Sequence, residues 1–439
     1  MTKARWLGLG ATALSLVLVI TACGANSNDS KGSANSPSHS KAGSAVQLGI
    51  TWAGSQVRHD ATLAALDLYS KSNPDVTFEP TYMGFDTYFT KLATLSASRN
   101  LPDIMQIDTG NLMDYALRNQ LADLSGGIDT SNMNEKLLSA GKVNGKLYGI
   151  PLGVNTITFM YNKAAFDKLG IQVPEKGFNW DEWVKIAKET KPKLEKGKYF
   201  MMDLSMATGT TESDKYEIYQ LAYGKGFIHT PDGKFNIDRD TYIQFNKLFA
   251  DLRNEGIVPP ANVTAGHKQN DPQLDLFMNG TILVQREYAA AFPNFESVHP
   301  GQFAMTLVPS ASNAGGFMLP SQFFTVSQNS KYPDEARKFI EWFVNDKEAG
   351  RALTLARGVP VSKPVLDDLS QTLDATAQMQ IDIIDRVATD ANSFSSRPKG
   401  YGAWTDEWTK ISQAVAFDKM APEKAYDELK KKWDEIIKL

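Results

Sequence analysis

The sequence has one cysteine in 439 residues, which excludes a disulfide framework and any multi-cysteine metal centre. Its five histidines, His39, His59, His229, His267 and His299, are scattered without metal-ligand spacing. The catalytic and nucleotide signatures H-E-x-x-H, G-x-S-x-G and G-x-x-x-x-G-K-[ST] are missing. The nearest approach to the last, Gly141 to Lys146, is one residue short and lies in a hairpin. No metal, cofactor or catalytic group is therefore expected. Basic excess is lacking too: 46 Lys and Arg stand against 50 Asp and Glu, a formal charge of −4, which argues against a nucleic-acid partner. The uncharged run Trp6 to Ile20 has 15 residues, fewer than the roughly 20 of a membrane span. Apolar residues are plentiful at 42%, enough for a large core and two or three domains.

The first residues read as a targeting segment. Lys3 and Arg5 precede the apolar run, which has the length of a signal h-region. It ends in Ile20-Thr21-Ala22-Cys23, which resembles the bacterial lipobox. The resemblance implies cleavage after residue 22 and acylation of Cys23, with palmitate among the chains, leaving a lipoprotein on the extracytoplasmic face of the cell membrane. Removing residues 1–22 takes away Lys3 and Arg5 and brings the charge from −4 to −6. Residues 24–45 are mostly Ser, Asn, Gly, Ala and Lys. They cannot offset their ordering entropy and form a tether of roughly 25 Å.

Beyond the tether, strand and helix patterns alternate. Ala45–Trp52 is β-rich, Ala61–Ser72 is a helix stopped by Asn73-Pro74, and Val76–Phe78 is the next strand. A helix at Phe85–Ala97 and a strand at Asp103–Ile107 follow. This order predicts βαβ units and a largely parallel sheet. Ligands of such sheets bind beyond the carboxyl ends of the strands, so Trp52–Asp60, Gly84–Asp86 and Asp108–Asn111 share one edge. Asn144-Gly145 marks a hairpin. The β-rich stretches Ile150–Tyr161 and Phe317–Val326 are long enough to leave one lobe and return to it. Helices are expected at Trp180–Glu189, Lys215–Lys225, Arg239–Glu255, Asp334–Asn345 and Pro422–Lys438.

The first constellation of interest is Trp52-Ala53-Gly54-Ser55-Gln56-Val57-Arg58-His59-Asp60. A tryptophan at a strand end offers a flat face to the C–H face of a sugar, and Arg58 and His59 offer polar groups for its hydroxyls. The alternative is that Trp52 belongs to the core. Asp60 reads as a helix cap. Lys430-Lys431-Lys432 reads as a solvated helix face.

Three segments, TWAGSQVRHDATLAALDLYSKSNPDV, GFDTYFTKLATLSASRNLPDIMQID and NGKLYGIPLGVNTITFMYNKAAFDKLGI, resemble the family 1 extracellular solute-binding proteins of carbohydrate ABC importers. PDEARKFIEWFVNDKEAG, RGVPVSKPVL and PEKAYDELKKKWDEII agree with them. The W-x-G-x-x-R-H opening is similar to a subgroup linked to pectin-type oligosaccharides. The resemblance implies an α/β, two-lobed, periplasmic-binding-protein-like type II fold with hinge crossovers. Lobe 1 would be 46–153 plus 320–357, and lobe 2 would be 156–318 plus 359–439. Implied ligand contacts are Trp52, Arg58, His59 and Asp108 in lobe 1 and Asn155 on the first crossover. In lobe 2 they are Tyr216, Arg286, Tyr288 and Trp404. The alternative for each is packing: Tyr216 and Tyr219 share a helix and either fits the core. Of Trp404 and Trp408 one is expected in the core, and Trp404, nearer the loop 397–402, is the better ligand candidate. The implied partners are an oligosaccharide and permease subunits, with a monomeric receptor held by its lipid alone. A secreted glycosidase and a same-fold receptor for another solute are the alternatives.

Overall fold

A computed structural model describes residues 45–174, 177–209, 212–230, 232–269, 271–310, 316–388, 392–394 and 397–438. The leader, Cys23 and the tether lie outside the described residues. The strands, in chain order, are β1 Val46–Ala53, β2 Val76–Met83, β3 Ile104–Ile107, β4 Lys142–Val143, β5 Lys146–Leu147, β6 Ile150–Pro151 and β7 Val154–Asn162. They continue with β8 Tyr199–Met201, β9 Ile282–Tyr288, β10 Phe303–Thr306, β11 Phe317–Pro320, β12 Phe323–Val326 and β13 Asn392–Ser393.

The strands make two main sheets. One runs β2-β1-β3-β12-β6; the other runs β13-β11-β7-β9-β8, with β10 also on β7. The fold is α/β and two-lobed. In the first sheet β1 pairs in parallel with β2 and β3, as βαβ units require. The expectation of a largely parallel sheet holds only for that part. β12 runs antiparallel to β3 and β6, and β7 runs antiparallel to β9, β10 and β11. The reason is connectivity: β12 re-enters the first sheet directly from β11 of the second, so it arrives pointing the other way. β4 and β5 form the hairpin at Asn144-Gly145, whose φ angles of 50° and 79° are the left-handed pair that a two-residue turn needs.

The helices follow their patterns, with shifted ends. The first begins earlier than expected and spans Gln56–Ser72. Trp180–Thr190 opens on a capping box: Asn179 accepts from the Glu182 amide and Glu182 accepts from the Asn179 amide. The helix Asp214–Ala222 is buried along nearly its whole length, charged residues included. Among the described residues no helix is long and apolar enough to cross a membrane.

Three connectors run side by side where the chain passes between the sheets. Val154 and Val359 exchange backbone hydrogen bonds of 2.6 and 3.0 Å, and the Ser321 amide donates to the Gly153 carbonyl at 2.8 Å. A Cβ on Gly153 would stand 2.2 Å from the Arg357 carbonyl oxygen. Only glycine allows that approach. The helix Lys363–Leu369 then packs on Lys347–Leu353, with Val365 filling the space left by Gly350.

Candidate functional site

At the carboxyl edge of the first sheet, the parallel register sets Trp52 of β1 beside Tyr82 of β2. Their rings stack with centroids 5.0 Å apart. Trp52 is fully buried, so the face expected to meet a ligand is covered; Tyr82, at 40% exposure, carries the open ring. The Trp52 indole N–H donates to His59 Nδ1 at 3.1 Å. Burial, with Arg357 and Arg58 nearby, lowers the His59 pKa and keeps the ring neutral, as that acceptor role requires. His59 therefore sits beside the stacked pair, hydrogen-bonded to Trp52 and with its ring 4.7 Å from that of Tyr82.

Arg58 is half-buried. Its Nε donates to the Ala356 carbonyl at 3.0 Å, and its guanidinium lies 5.5 Å from the centre of the Phe85 ring. Phe85 is 42% exposed. Asp108 accepts from the Asn111 amide at 2.8 Å and from its side-chain amide at 2.9 Å, both through Oδ1. That oxygen holds the turn after β3. Burial raises the Asp108 pKa, and the Asn111 donors oppose the rise.

The Asp108–Asn111 turn meets the segment that leads into the helix Tyr401–Ala416. The Arg397 amide donates to the Thr109 carbonyl at 3.1 Å, and the Gly400 amide donates to Asp114 at 3.3 Å. Behind this contact Arg397 grips Glu217 with two hydrogen bonds of 2.7 and 2.5 Å. The Arg397 guanidinium also lies 4.8 Å from the Tyr401 ring centre. Tyr401 shares a hydrogen bond of 2.7 Å with Ser213. One residue on, Asp214 pairs with Arg286 and accepts from the Tyr288 hydroxyl at 2.5 Å. The Arg286 guanidinium stacks on the Tyr288 ring at 4.3 Å. Asp214 Oδ1 and Arg286 Nε are buried and have no hydrogen-bond partner among the described residues. Asn155 is buried, and its Oδ1 accepts from the Ala290 amide at 3.0 Å, pinning the start of β7 to the end of β9.

The profile of the bacterial extracellular solute-binding proteins matches residues 53–350 of this sequence. The chain belongs to that family. The multiple sugar-binding protein of Streptococcus mutans is 25% identical over 343 residues, covering 73% of this chain and 76% of the relative. The diacetylchitobiose binding protein DasA of Streptomyces coelicolor is 25% identical, with 80% of each chain covered. Among solved structures, the periplasmic oligogalacturonide binding protein of Yersinia enterocolitica, in complex with saturated digalacturonic acid, superposes with a TM-score of 0.77. It is 22% identical, with 89% of this chain and 98% of that one covered. That likeness is one of fold.

In this solute-binding protein Tyr216 and Trp404 have no exposed surface. Tyr216 sits among Tyr242, Phe245 and Trp408, and its hydroxyl donates to Gln220 at 2.8 Å. Trp404 packs on Trp408, Trp433 and His229, and its indole donates to the Leu429 carbonyl at 3.1 Å. Every ring face of both is covered, as the packing alternative describes. Sequence reasoning passed over Tyr82, Phe85, Asp214 and the Glu217–Arg397 pair. Phe85 lies inside the edge segment Gly84–Asp86 that the strand pattern had already marked, and Tyr82 stands two residues before that segment. The ion pairs join positions far apart in the chain and left no local signal.

Proposed function

We propose that this solute-binding protein is the receptor of a carbohydrate importer. It holds an oligosaccharide between its lobes and presents it to the permease subunits of an ABC transporter, breaking no bond. The observation that carries this reading is the carboxyl edge of the first sheet, where the rings of Tyr82 and Phe85 lie open and the Arg58 guanidinium stands 5.5 Å from the centre of the Phe85 ring. Aromatic faces pack on the C–H faces of sugars, and fixed polar groups read the hydroxyls. The names of the relatives support a sugar as solute. On this reading Arg58, Asp108, Asn155, Arg286 and Tyr288 contact the ligand, with the unpartnered Asp214 oxygen as a further acceptor. Trp52 and His59 back Tyr82, while Tyr216 and Trp404 pack the second lobe.

The lobes we propose are 46–153 plus 320–357 and 156–318 plus 359–439, and the separate sheets support them. The packing of Lys363–Leu369 on Lys347–Leu353 favours a later second boundary. Residues 1–22 act as the leader, Cys23 carries the lipid, and 24–45 tether a monomeric receptor at the extracytoplasmic face. Thermal-shift screening of the purified chain against a glycan panel tests the reading. An oligosaccharide that raises the midpoint, and is recovered intact, is the expected result. No response to any saccharide overturns the reading, and cleavage would replace it with a glycosidase. Cys23→Ser should move the protein out of the membrane fraction; a variant still found there would refute the anchor.

A further inference from the structure

Arg357 stands where the connectors between the sheets meet the first sheet. Its carbonyl accepts from the Ser321 hydroxyl, and Gly153 passes so close to the same oxygen that no side chain fits there. Two residues on, Val359 pairs with Val154. The backbone of Arg357 therefore touches both other connectors, while its side chain reaches the binding edge. The guanidinium donates twice to Thr62 Oγ1, at 3.1 and 2.7 Å, and to Gln106 Oε1 at 2.8 Å. Thr62 in turn donates to the Arg58 carbonyl at 2.6 Å, and the Arg58 side chain donates to the Ala356 carbonyl at 3.0 Å. Gln106 lies on β3, two residues before Asp108. One residue thus bonds the connectors through its backbone and, through its side chain, the helix and strand that carry Arg58 and Asp108.

Stability alone does not account for an arginine at this place. Arg357 is 3% exposed and pairs with no carboxylate among the described residues; both its side-chain acceptors are neutral. Burial and the nearby Arg58 both disfavour its charge. The buried Arg286 and Arg397 each hold an acid. A buried charge without a counter-charge costs stability that an apolar residue of similar size would keep. Departures of this kind gather at functional sites. Gln106 adds a second one: its Nε2 is buried with no hydrogen-bond partner among the described residues. With one end of that amide engaged and the other idle, the clamp has a donor to spend in a second arrangement. We propose that Arg357 couples closure of the lobes to the setting of the first-lobe binding edge. When the connectors turn, the movement passes through the guanidinium to the helix Gln56–Ser72 and to β3, and so to Arg58 and Asp108. By the same link, a solute seated on that edge biases the connectors toward the closed form. Sealed in the core, Arg357 is a positioning residue and not a contact. This coupling presupposes the receptor reading above and adds the route by which binding and closure are joined.

The test uses the full chain, Arg357→Lys, and the double variant Arg357→Met with Gln106→Met, which strands no amide. Diacetylchitobiose, arabinotriose, maltotriose and digalacturonate are the probes in calorimetry. Urea midpoints report stability, and one spin label on each lobe reports the interlobe distance. We expect the double variant to keep the midpoint of the parent chain, because an uncompensated charge leaves the core. Its affinity should fall about 5- to 150-fold. A saturating saccharide should shift or narrow the distance distribution of the parent and leave that of the double variant unchanged. Arg357→Lys, which keeps a donor, should recover part of both effects. A double variant that binds and closes like the parent would overturn the coupling. So would a lower midpoint with closure intact, the mark of a merely structural role, and so would a parent chain that binds without closing. All three leave the sugar receptor standing. No binding of any probe by the parent chain would overturn the receptor reading and the coupling with it.

Discussion

Substituting Trp52 by alanine removes a fully buried indole together with its hydrogen bond to His59. Large-to-small changes of this kind cost about 3–5 kcal/mol. Tyr82 is 40% exposed, so Tyr82→Ala should cost only about 1 kcal/mol of stability, mostly lost stacking. Urea unfolding and titration calorimetry separate the two: Trp52→Ala should fail in the first, Tyr82→Ala in the second. Equal stability losses would contradict this division between support and contact. His229 makes a second prediction. Neither ring nitrogen has a hydrogen-bond partner among the described residues, and the ring lies 4.0 Å from Trp433 and 4.6 Å from Trp404. Burial, with help from Arg397, holds its pKa well below 6.5. The unfolded chain therefore takes up a proton at a pH where the folded chain refuses it. Stability falls as the pH drops below about 6.5. His229→Phe keeps the packing and should flatten that acid limb in urea midpoints measured at pH 7.5 and pH 5. An unchanged limb would assign it to other groups.

At the scale of elements, the Glu217–Arg397 pair ties the helix Asp214–Ala222 to the segment that enters Tyr401–Ala416. Both side chains are buried, and Glu217 Oε1 also accepts from the Ile228 amide at 3.1 Å. Removing one partner strands the other charge, so Glu217→Ala should lose about 3–5 kcal/mol. The double variant Glu217→Leu with Arg397→Met should recover much of that loss. A double variant as unstable as the single would show that the carboxylate does more than balance Arg397. The same segment donates to Thr109 of the facing turn, so loosening it should also weaken ligand binding.

For the whole molecule, the connectors at Gly153, Ser321 and Val359 are the points about which the lobes would turn. Hinge closure is a recurrent motion of two-lobed receptors. Saturating oligosaccharide should lower the radius of gyration in X-ray scattering or, if the free chain already rests closed, narrow its distribution. A profile that ligand leaves unchanged would contradict closure. Gly153→Ala forces a Cβ to within 2.2 Å of the Arg357 carbonyl oxygen. It should shift the connectors apart, lowering both the unfolding midpoint and the affinity.

Several features were legible in the order of residues alone, because their causes are local. The alternation of apolar runs gave the βαβ start, Asn144-Gly145 fixed its hairpin, and the separated motifs indicated the family. The edge bearing the candidate site followed from the same pattern, since strand ends are set by chain direction. Which aromatic ring lies open at that edge depended on register: Trp52 and Tyr82 are strand-end aromatics alike until β1 and β2 pair and one covers the other. The fate of Tyr216 and Trp404 was likewise settled by residues distant in the chain that cover their faces. Charge pairing was settled in the same way. Arg286 and Arg397 find acids 72 and 180 residues away, while Arg357 finds none among the described residues and is held by Thr62 and Gln106 instead. Local order set the elements and the edge where they end. Long-range packing decided which side chains there are covered, which are open, and which charge is left without a partner.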